Sequence, residues 1–181
     1  MKKTILKAVV AAGVISSLVL LGLQSTEAKT LRWAYMGDVL SMDPYSYRES
    51  FTISFLQHIY DPLVRYNSDL KKEPCLATSW TLVDPKVWRF NLRKGVKFHN
   101  GNPFTADDVV ASIKRAIHQN SPFKGHLPAV EDVRKVDDYT VEIVLKETYP
   151  LLLNELTYVG MMDREWMTEH NCLVPANPAK G

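Results

Sequence analysis

The chain has 181 residues, of which 46% are hydrophobic and 23% are charged, and its formal net charge is +2. This composition argues against intrinsic disorder, and the length allows one ordinary hydrophobic core. The small net charge argues against a nucleic-acid-binding protein, which needs a basic surface to neutralise phosphates.

The first 28 residues have the pattern of a secretory signal peptide. Three lysines lie among the first seven residues, residues 8–23 are uncharged and mostly apolar, and residues 24–28 are small and polar. This apolar run is shorter than the ~20 residues of a membrane span, so the pattern predicts a cleaved signal. Cleavage removes three of the 22 basic and one of the 20 acidic residues. The mature chain then has no net charge, and we expect an exported protein without attraction to anionic membrane surfaces.

The mature chain begins with a predicted strand at residues 30–35, followed by an irregular loop. A helix is predicted at residues 49–60, because its apolar residues recur on one face, and Pro62 stops it. A short strand at residues 63–66 ends at a turn over residues 67–69.

Two strands are predicted next, at residues 79–83 and 87–93, around a turn at residues 84–86. In the second strand, apolar and polar residues alternate, as in a strand with one buried face. Trp80 and Trp88 lie on these strands and are predicted to belong to the core.

The clearest helix follows Thr105, which can cap it, and ends at Ser121-Pro122. Asp107 and Asp108 lie in its first turn, where the helix dipole favours negative charge. Its predicted apolar stripe consists of Val109, Val110, Ile113 and Ile117.

A second hairpin is predicted from strands at residues 131–136 and 139–146. Short helices are predicted at residues 151–156 and 163–170, the second capped by Asp163. Hairpins rather than regular βαβ units favour an α+β (mixed α/β) architecture. Tyr45 and Tyr47 lie in the irregular loop, and their pattern fits a ligand platform and a core position equally well.

No catalytic motif is present. The sequence lacks a Gly-x-Ser-x-Gly elbow, a Walker loop and a Gly-x-Gly-x-x-Gly turn, and its five histidines lack metal-ligand spacing. The adjacent carboxylates at 107–108 and 137–138 are better explained by a helix N-terminus and a hairpin turn. We therefore expect no enzyme, no catalytic residue, no metal site and no cofactor. An exported chain meets an oxidising compartment, so a disulfide between Cys75 and Cys172 is possible but is not specified by the sequence.

Residues 76–80 and 88–110 carry a long and specific pattern, which reads LA-x-S-W … W-x-F-x-LR-x-GVKFH-x-G-x-PFTADDVV. This pattern resembles that of the extracellular solute-binding proteins of family 5, the dipeptide-, oligopeptide- and nickel-binding subunits of bacterial ABC importers. Residues 135–141 and 30–45 are similar to further segments of the same family.

The resemblance implies the N-terminal part of a type II periplasmic-binding-protein fold, which has two ligand-gripping lobes and a small inserted domain. It implies a signal peptide at residues 1–28, a first segment of lobe I at 29–61 and an inserted α+β domain at 62–181. The chain stops before the Gly-Thr-Gly-Pro-Phe segment that follows in the family, so we expect an incomplete inserted domain and no second lobe.

The implied function is capture of a solute by lobe closure and its delivery to permease subunits in the inner membrane. Peptide is the expected solute, and nickel or another small solute remains an alternative. A monomer is expected. The loop after the first strand is the expected ligand contact, through Met36, Gly37, Asp38, Leu40 and Met42. Two other hypotheses are a remnant without transport activity, which has a structural or interaction role, and an exported peptidase, which has the least support.

Overall fold

A computed structural model describes residue 30 and residues 34–175. It separates two compact units, residues 1–36 and residues 37–181, and every element below belongs to the second. The predicted signal peptide lies outside the described residues, as does the centre of the strand predicted at residues 30–35.

The second unit contains helices and strands in mixed order, which confirms the α+β class. The helices are α1 (Ser50–Leu56), α2 (Ala106–Ile117), α3 (Leu152–Glu155) and α4 (Arg164–Glu169), with 3-10 turns at Pro122–Gly125 and Leu156–Tyr158. The strands are β1 (Val64–Tyr66), β2 (Lys72–Pro74), β3 (Ala77–Asp84), β4 (Val87–Leu92), β5 (Val130–Asp137) and β6 (Thr140–Leu145).

The main sheet has four antiparallel strands in the order β3-β4-β6-β5. The two predicted hairpins form its halves, and β4 joins them by pairing with β6, with Phe90 opposite Val141. A second, two-stranded sheet pairs β1 with β2.

Helix α2 packs on one face of the main sheet, and the core lies between them. Phe90, Val141 and Ile143 on the sheet and Val109 and Ile113 on the helix are fully buried. The alternation read from the sequence of β4 and β6 therefore places apolar side chains inward, as expected for a half-buried sheet.

The opposite sheet face carries charged side chains in a row. Glu142 on β6 accepts hydrogen bonds from Arg89 on β4, at 3.0 Å from Nε and 2.6 Å from Nη2. Arg134 on β5 approaches the same carboxylate at 3.5 Å. Opposite charges on neighbouring strands suit a face exposed to water.

The predicted helix caps are confirmed. Asp108 Oδ2 accepts the backbone N–H of Thr105 at 2.8 Å, which closes a capping box at the start of α2. Asp163 Oδ1 accepts the N–H groups of Glu165 and Trp166 at the start of α4.

Two predictions need correction, and one strand was not predicted. The helix predicted at residues 49–60 is α1, which ends at Leu56 and continues only as turns to Tyr60. Strand β2 was not predicted, because its three residues, Lys72, Glu73 and Pro74, are largely exposed and have no apolar alternation. Trp80 and Trp88 pack against the core but are only half-buried.

The turn at residues 99–102 depends on glycine. Gly101 has a φ of +94°, a backbone conformation that side-chain-bearing residues rarely adopt. Its N–H donates to the Phe98 carbonyl at 2.9 Å. In the part of the chain that the structure describes, no helix is both long and apolar enough to cross a membrane.

Candidate ligand-binding site

The loop from Gly37 to Asp43 is held by its backbone and by its last side chain. The Leu40 N–H donates to the hydroxyl of buried Thr52 on α1 at 3.3 Å, and Tyr60 donates its hydroxyl to the Met42 carbonyl at 3.1 Å. Asp43 is bound by Arg115 of α2. The loop is therefore fixed at both its middle and its end.

The side chains of this loop are left exposed. Leu40 is 57% and Met42 54% exposed, and Asp38 accepts the N–H of its neighbour Val39 at 2.7 Å. Met36, at the end of the first unit, is 97% exposed. The structure thus presents Gly37, Asp38, Leu40 and Met42 on the surface of the second unit, and Met36 is exposed in the first.

Asp43 and Arg115 form a two-pronged ion pair. Arg115 Nη1 donates to Asp43 Oδ1 at 2.7 Å and Nη2 donates to Oδ2 at 2.6 Å, while Nε donates to the Cys172 carbonyl at 2.7 Å. Arg115 is only 3% exposed. Bidentate arginine–carboxylate pairs fix orientation as well as distance.

Burial and pairing shift the pKa values of Asp43 and Arg115 in opposite directions. Burial alone raises the pKa of Asp43, but the hydrogen bonds from Arg115 and from the Tyr45 N–H outweigh it, so the pKa lies below its usual value. Burial lowers the pKa of Arg115, and the Asp43 carboxylate more than offsets this. Both groups are therefore charged at neutral pH.

Tyr45 belongs to the core, which decides a question that the sequence left open. Its side chain is fully buried, and its hydroxyl donates to the Gly160 carbonyl. Its ring lies 5.7 Å from that of Phe123 and 5.4 Å from the Arg115 guanidinium. Burial raises the pKa of the Tyr45 phenol far above its usual value. Tyr47, in contrast, is 46% exposed.

A cavity of about 270 Å³ lies elsewhere on the second unit. Its lining comes from the segment after α1, the turn before α2 and the start of α4, and includes Tyr60, Phe98, His99, Met161 and Trp166. None of the five predicted ligand residues lines it. Two lining residues, Phe98 and His99, belong to the sequence pattern of the family, but we interpret that pattern as a signature of the fold and not of a binding site.

Asp163 borders this cavity and is fully engaged by protein partners. Besides capping α4, its Oδ2 accepts the side-chain amides of Asn100 at 2.6 Å and Asn102 at 2.8 Å. Burial opposes these hydrogen bonds, but the pKa of Asp163 still lies below its usual value. The carboxylate therefore ties the turn at residues 98–102 to α4.

The carboxylate pairs considered for catalysis are used in the fold. Asp108 accepts the Arg164 N–H at 2.9 Å in addition to its capping contact, and burial raises its pKa. Asp137 accepts the Tyr139 N–H at 2.8 Å in the β5–β6 turn. Asp107 accepts a hydrogen bond from Lys135 at 2.9 Å. The contacts of Asp108 and Asp137 match the capping and turn roles predicted from the sequence, whereas Asp107 binds a lysine of β5.

The histidines and cysteines do not cluster. Within residues 34–175, no three histidine, cysteine, aspartate or glutamate side chains are placed to hold a metal ion. His126 accepts a hydrogen bond from Arg48 at 3.2 Å and lies 2.8 Å from Glu155, which joins the 37–61 segment to the rest of the unit. Cys75 and Cys172 are both free thiols.

The chain is similar to known solute-binding proteins. The model of bacterial extracellular solute-binding proteins, family 5 Middle, matches residues 71–171, more than half of the chain. The periplasmic oligopeptide-binding protein OppA of Escherichia coli K12 is 29% identical, over 84% of this chain and 33% of OppA. The nickel-binding periplasmic protein of the same organism is 34% identical, over 70% of this chain and 24% of that protein. The chain thus spans at most about a third of these relatives' length.

Solved structures show the same likeness. The PBP/SBP MoaA of A. tumefaciens R10, solved in complex with mannopinic acid, has a TM-score of 0.67 and 32% identity, over 74% of this chain and 29% of that chain. The fold is therefore that of the type II periplasmic binding proteins, as expected, with the described residues forming an α+β part of it.

Proposed function

The chain belongs to the bacterial extracellular solute-binding proteins of family 5, and we propose that it is the N-terminal part of the substrate-binding component of an ABC importer. The match of residues 71–171 to the family carries this proposal. The likeness to an oligopeptide-binding protein over 84% of the chain supports peptide as the solute. These likenesses favour a transport role over a structural remnant.

We assign the same domains as the sequence resemblance implies. Residues 1–28 are a signal peptide, residues 29–61 begin lobe I, and residues 62–181 belong to the inserted domain. The protein works as a periplasmic monomer and delivers its solute to permease subunits in the inner membrane. N-terminal sequencing of the exported protein tests the first assignment, and we expect it to begin at Lys29.

The ligand surface in this part of the protein is the loop after the strand predicted at residues 30–35. Its backbone is anchored at Leu40, Met42 and Asp43, while Leu40 and Met42 leave more than half of their side-chain surface exposed. A fixed backbone with exposed apolar side chains suits contact with a solute, because little conformational freedom is lost on binding. Lobe closure then removes these side chains from water. The proposed contacts are Met36, Gly37, Asp38, Leu40 and Met42.

The first experiment identifies the solute. The gene product, expressed to its own stop codon, is purified from the periplasm and its bound solute is released by denaturation and identified by mass spectrometry. We expect short peptides. Calorimetry of the refolded protein with tri-alanine, and with nickel–histidine as the comparison, measures affinity. Binding of nickel–histidine without binding of tri-alanine contradicts the peptide assignment.

The second experiment tests the loop. Met42→Ala removes apolar surface from the proposed contact, and each buried methylene is worth ~0.8 kcal/mol. We expect affinity for tri-alanine to fall by about tenfold, which corresponds to ~1.4 kcal/mol. Leu82→Ala is the matched control, because Leu82 is similarly exposed but lies on β3. Equal affinities of Met42→Ala and the parent contradict the loop assignment.

A further inference from the structure

A buried arginine on the inner side of α2 has no role in the apolar packing of that helix. Arg115 is 3% exposed, and its neighbours Ala116 and Ile113 are fully buried. A buried guanidinium is costly unless its donors are paired. Its Nε, Nη1 and Nη2 all donate hydrogen bonds, one to the Cys172 carbonyl and two to Asp43.

Asp43 connects Arg115 to the loop through several hydrogen bonds. Besides the two bonds from Arg115, its Oδ1 accepts the Tyr45 N–H at 3.0 Å, and its own N–H donates to the Ser41 hydroxyl at 3.0 Å. The Asp43 side chain is thus the point at which the loop's end is oriented. Met42 directly precedes it, and Leu40 lies three positions before it.

The other two anchors of the loop are weaker. The Leu40 and Met42 contacts are single, uncharged hydrogen bonds of 3.3 and 3.1 Å. The Arg115 contacts are shorter and charge-assisted, and such bonds are about twice as strong as neutral ones. The ion pair with Arg115 is therefore the strongest of the three anchors of the loop.

We propose that Arg115 is a positioning residue for solute binding: it holds the Asp43 end of the loop so that Leu40 and Met42 face the solute. It does not itself touch the solute. The inference rests on the proposed function of the loop. It adds that affinity for the solute depends on Arg115 of α2, which lies 72 positions after its partner Asp43 in the chain.

The test compares two variants of Arg115 in the gene product expressed to its stop codon. Arg115→Lys keeps the charge but loses the fork, and Arg115→Met loses both. Hydrogen exchange of the Leu40 and Tyr45 amides reports loop position, calorimetry with tri-alanine reports affinity, and urea unfolding reports stability. Arg89→Lys is the matched control, because Arg89 also binds a carboxylate through two nitrogens but lies on the exposed sheet face.

We expect exchange at Leu40 and Tyr45 to accelerate and affinity to fall by about tenfold in Arg115→Lys, and further in Arg115→Met. A smaller loss of affinity in Arg115→Lys than in Arg115→Met shows that the positive charge contributes to positioning, and not only the volume of the side chain. Asp43→Asn, which keeps the shape of the carboxylate, should reproduce the exchange and affinity changes even if Arg115→Met does not fold. Arg89→Lys should change neither measurement.

Two results overturn the inference. In one, Arg115→Lys lowers stability but leaves the exchange of both loop amides as in the parent, so the role is structural only. In the other, exchange accelerates without loss of affinity although Met42→Ala weakens binding. Failure of the proposed loop function is distinguishable, because then Leu40→Ala and Met42→Ala both leave affinity unchanged.

Discussion

The sheet layer and the segment from residue 37 to 61 both contribute side chains to the apolar core, but the segment is also tied to the rest of the unit by buried polar groups. The sheet and α2 share an apolar core in which Phe90, Val141 and Ile113 are fully buried. The 37–61 segment adds polar connections to the rest of the unit, from Asp43 to Arg115 and from Tyr45 to Gly160. Apolar packing tolerates small changes in direction, whereas paired polar groups fix it. The segment that carries the proposed ligand loop is thus the one oriented by polar contacts.

The largest expected effect comes from the apolar side of this comparison. Phe90→Ala empties a fully buried position at the centre of the sheet, beside Val141. We expect it to lower the free energy of unfolding by ~4 kcal/mol, the usual cost of lost transfer energy and a cavity. Urea unfolding followed through tryptophan fluorescence measures this. Thr81→Ala, at an exposed position of β3, is the control, and a similar loss there contradicts the contrast.

The second largest effect concerns the ion pair. Asp43→Asn leaves the buried guanidinium of Arg115 without its counter-charge, and we expect a loss of ~3 kcal/mol at pH 7 in the same measurement. A loss below ~1 kcal/mol, the level of an exposed ion pair, would show that the pair is not buried in solution.

The pH dependence of this loss is a further check. Because the folded pKa of Asp43 lies below the usual 3.8, its contribution is complete above that value and is lost as the pH falls through the lower folded pKa. The difference between the parent and Asp43→Asn should stay constant from pH 7 to 5 and narrow below pH 3.8. Asp163 and Glu49 also have lowered pKa values, but they are present in both proteins and cancel.

Substitution of two glycines, Gly160 and Gly125, is expected to have smaller effects on stability and to separate a rigid contact from a flexible one. A Cβ on Gly160 would lie 2.5 Å from the Tyr60 Cβ, close to rigid backbone, whereas one on Gly125 would meet the end of the Arg48 side chain at 2.6 Å. We expect Gly160→Ala to cost ~2 kcal/mol through overpacking and Gly125→Ala less than ~0.5 kcal/mol. Equal melting-temperature shifts for the two variants would contradict this.

The smallest expected effect is that of a single hydroxyl. Tyr45→Phe keeps the ring against Phe123 but removes the donor to the buried Gly160 carbonyl. We expect a loss of ~1 kcal/mol, as for one neutral hydrogen bond. Tyr47→Phe, at an exposed position, should change the unfolding midpoint by much less, and a larger change there would argue against the buried contact.

Local patterns predicted most of the regular structure. The two hairpins, the helix after Thr105 and the cap at Asp163 depend on residues within a few positions of one another, so their alternation and capping are visible in the sequence. Strand β2 was missed because its three residues, two charged and one proline, show no apolar alternation, and its partner β1 lies across a turn. The ligand loop was proposed from a family resemblance, and the structure adds how its backbone is anchored.

The sequence by itself determined the family, the α+β class and the positions of the hairpins and caps, because each is recorded in short-range spacing or in a continuous motif. Only the tertiary structure decided that β4 pairs with β6, that Tyr45 is core while Tyr47 is exposed, and that Arg115 is buried against Asp43. By helical spacing Arg115 lies one turn from Ala111 and reads as an ordinary charge in the last turn of a helix. Its role depends on a carboxylate 72 positions earlier, and no local pattern specifies which distant groups the fold brings within hydrogen-bond distance.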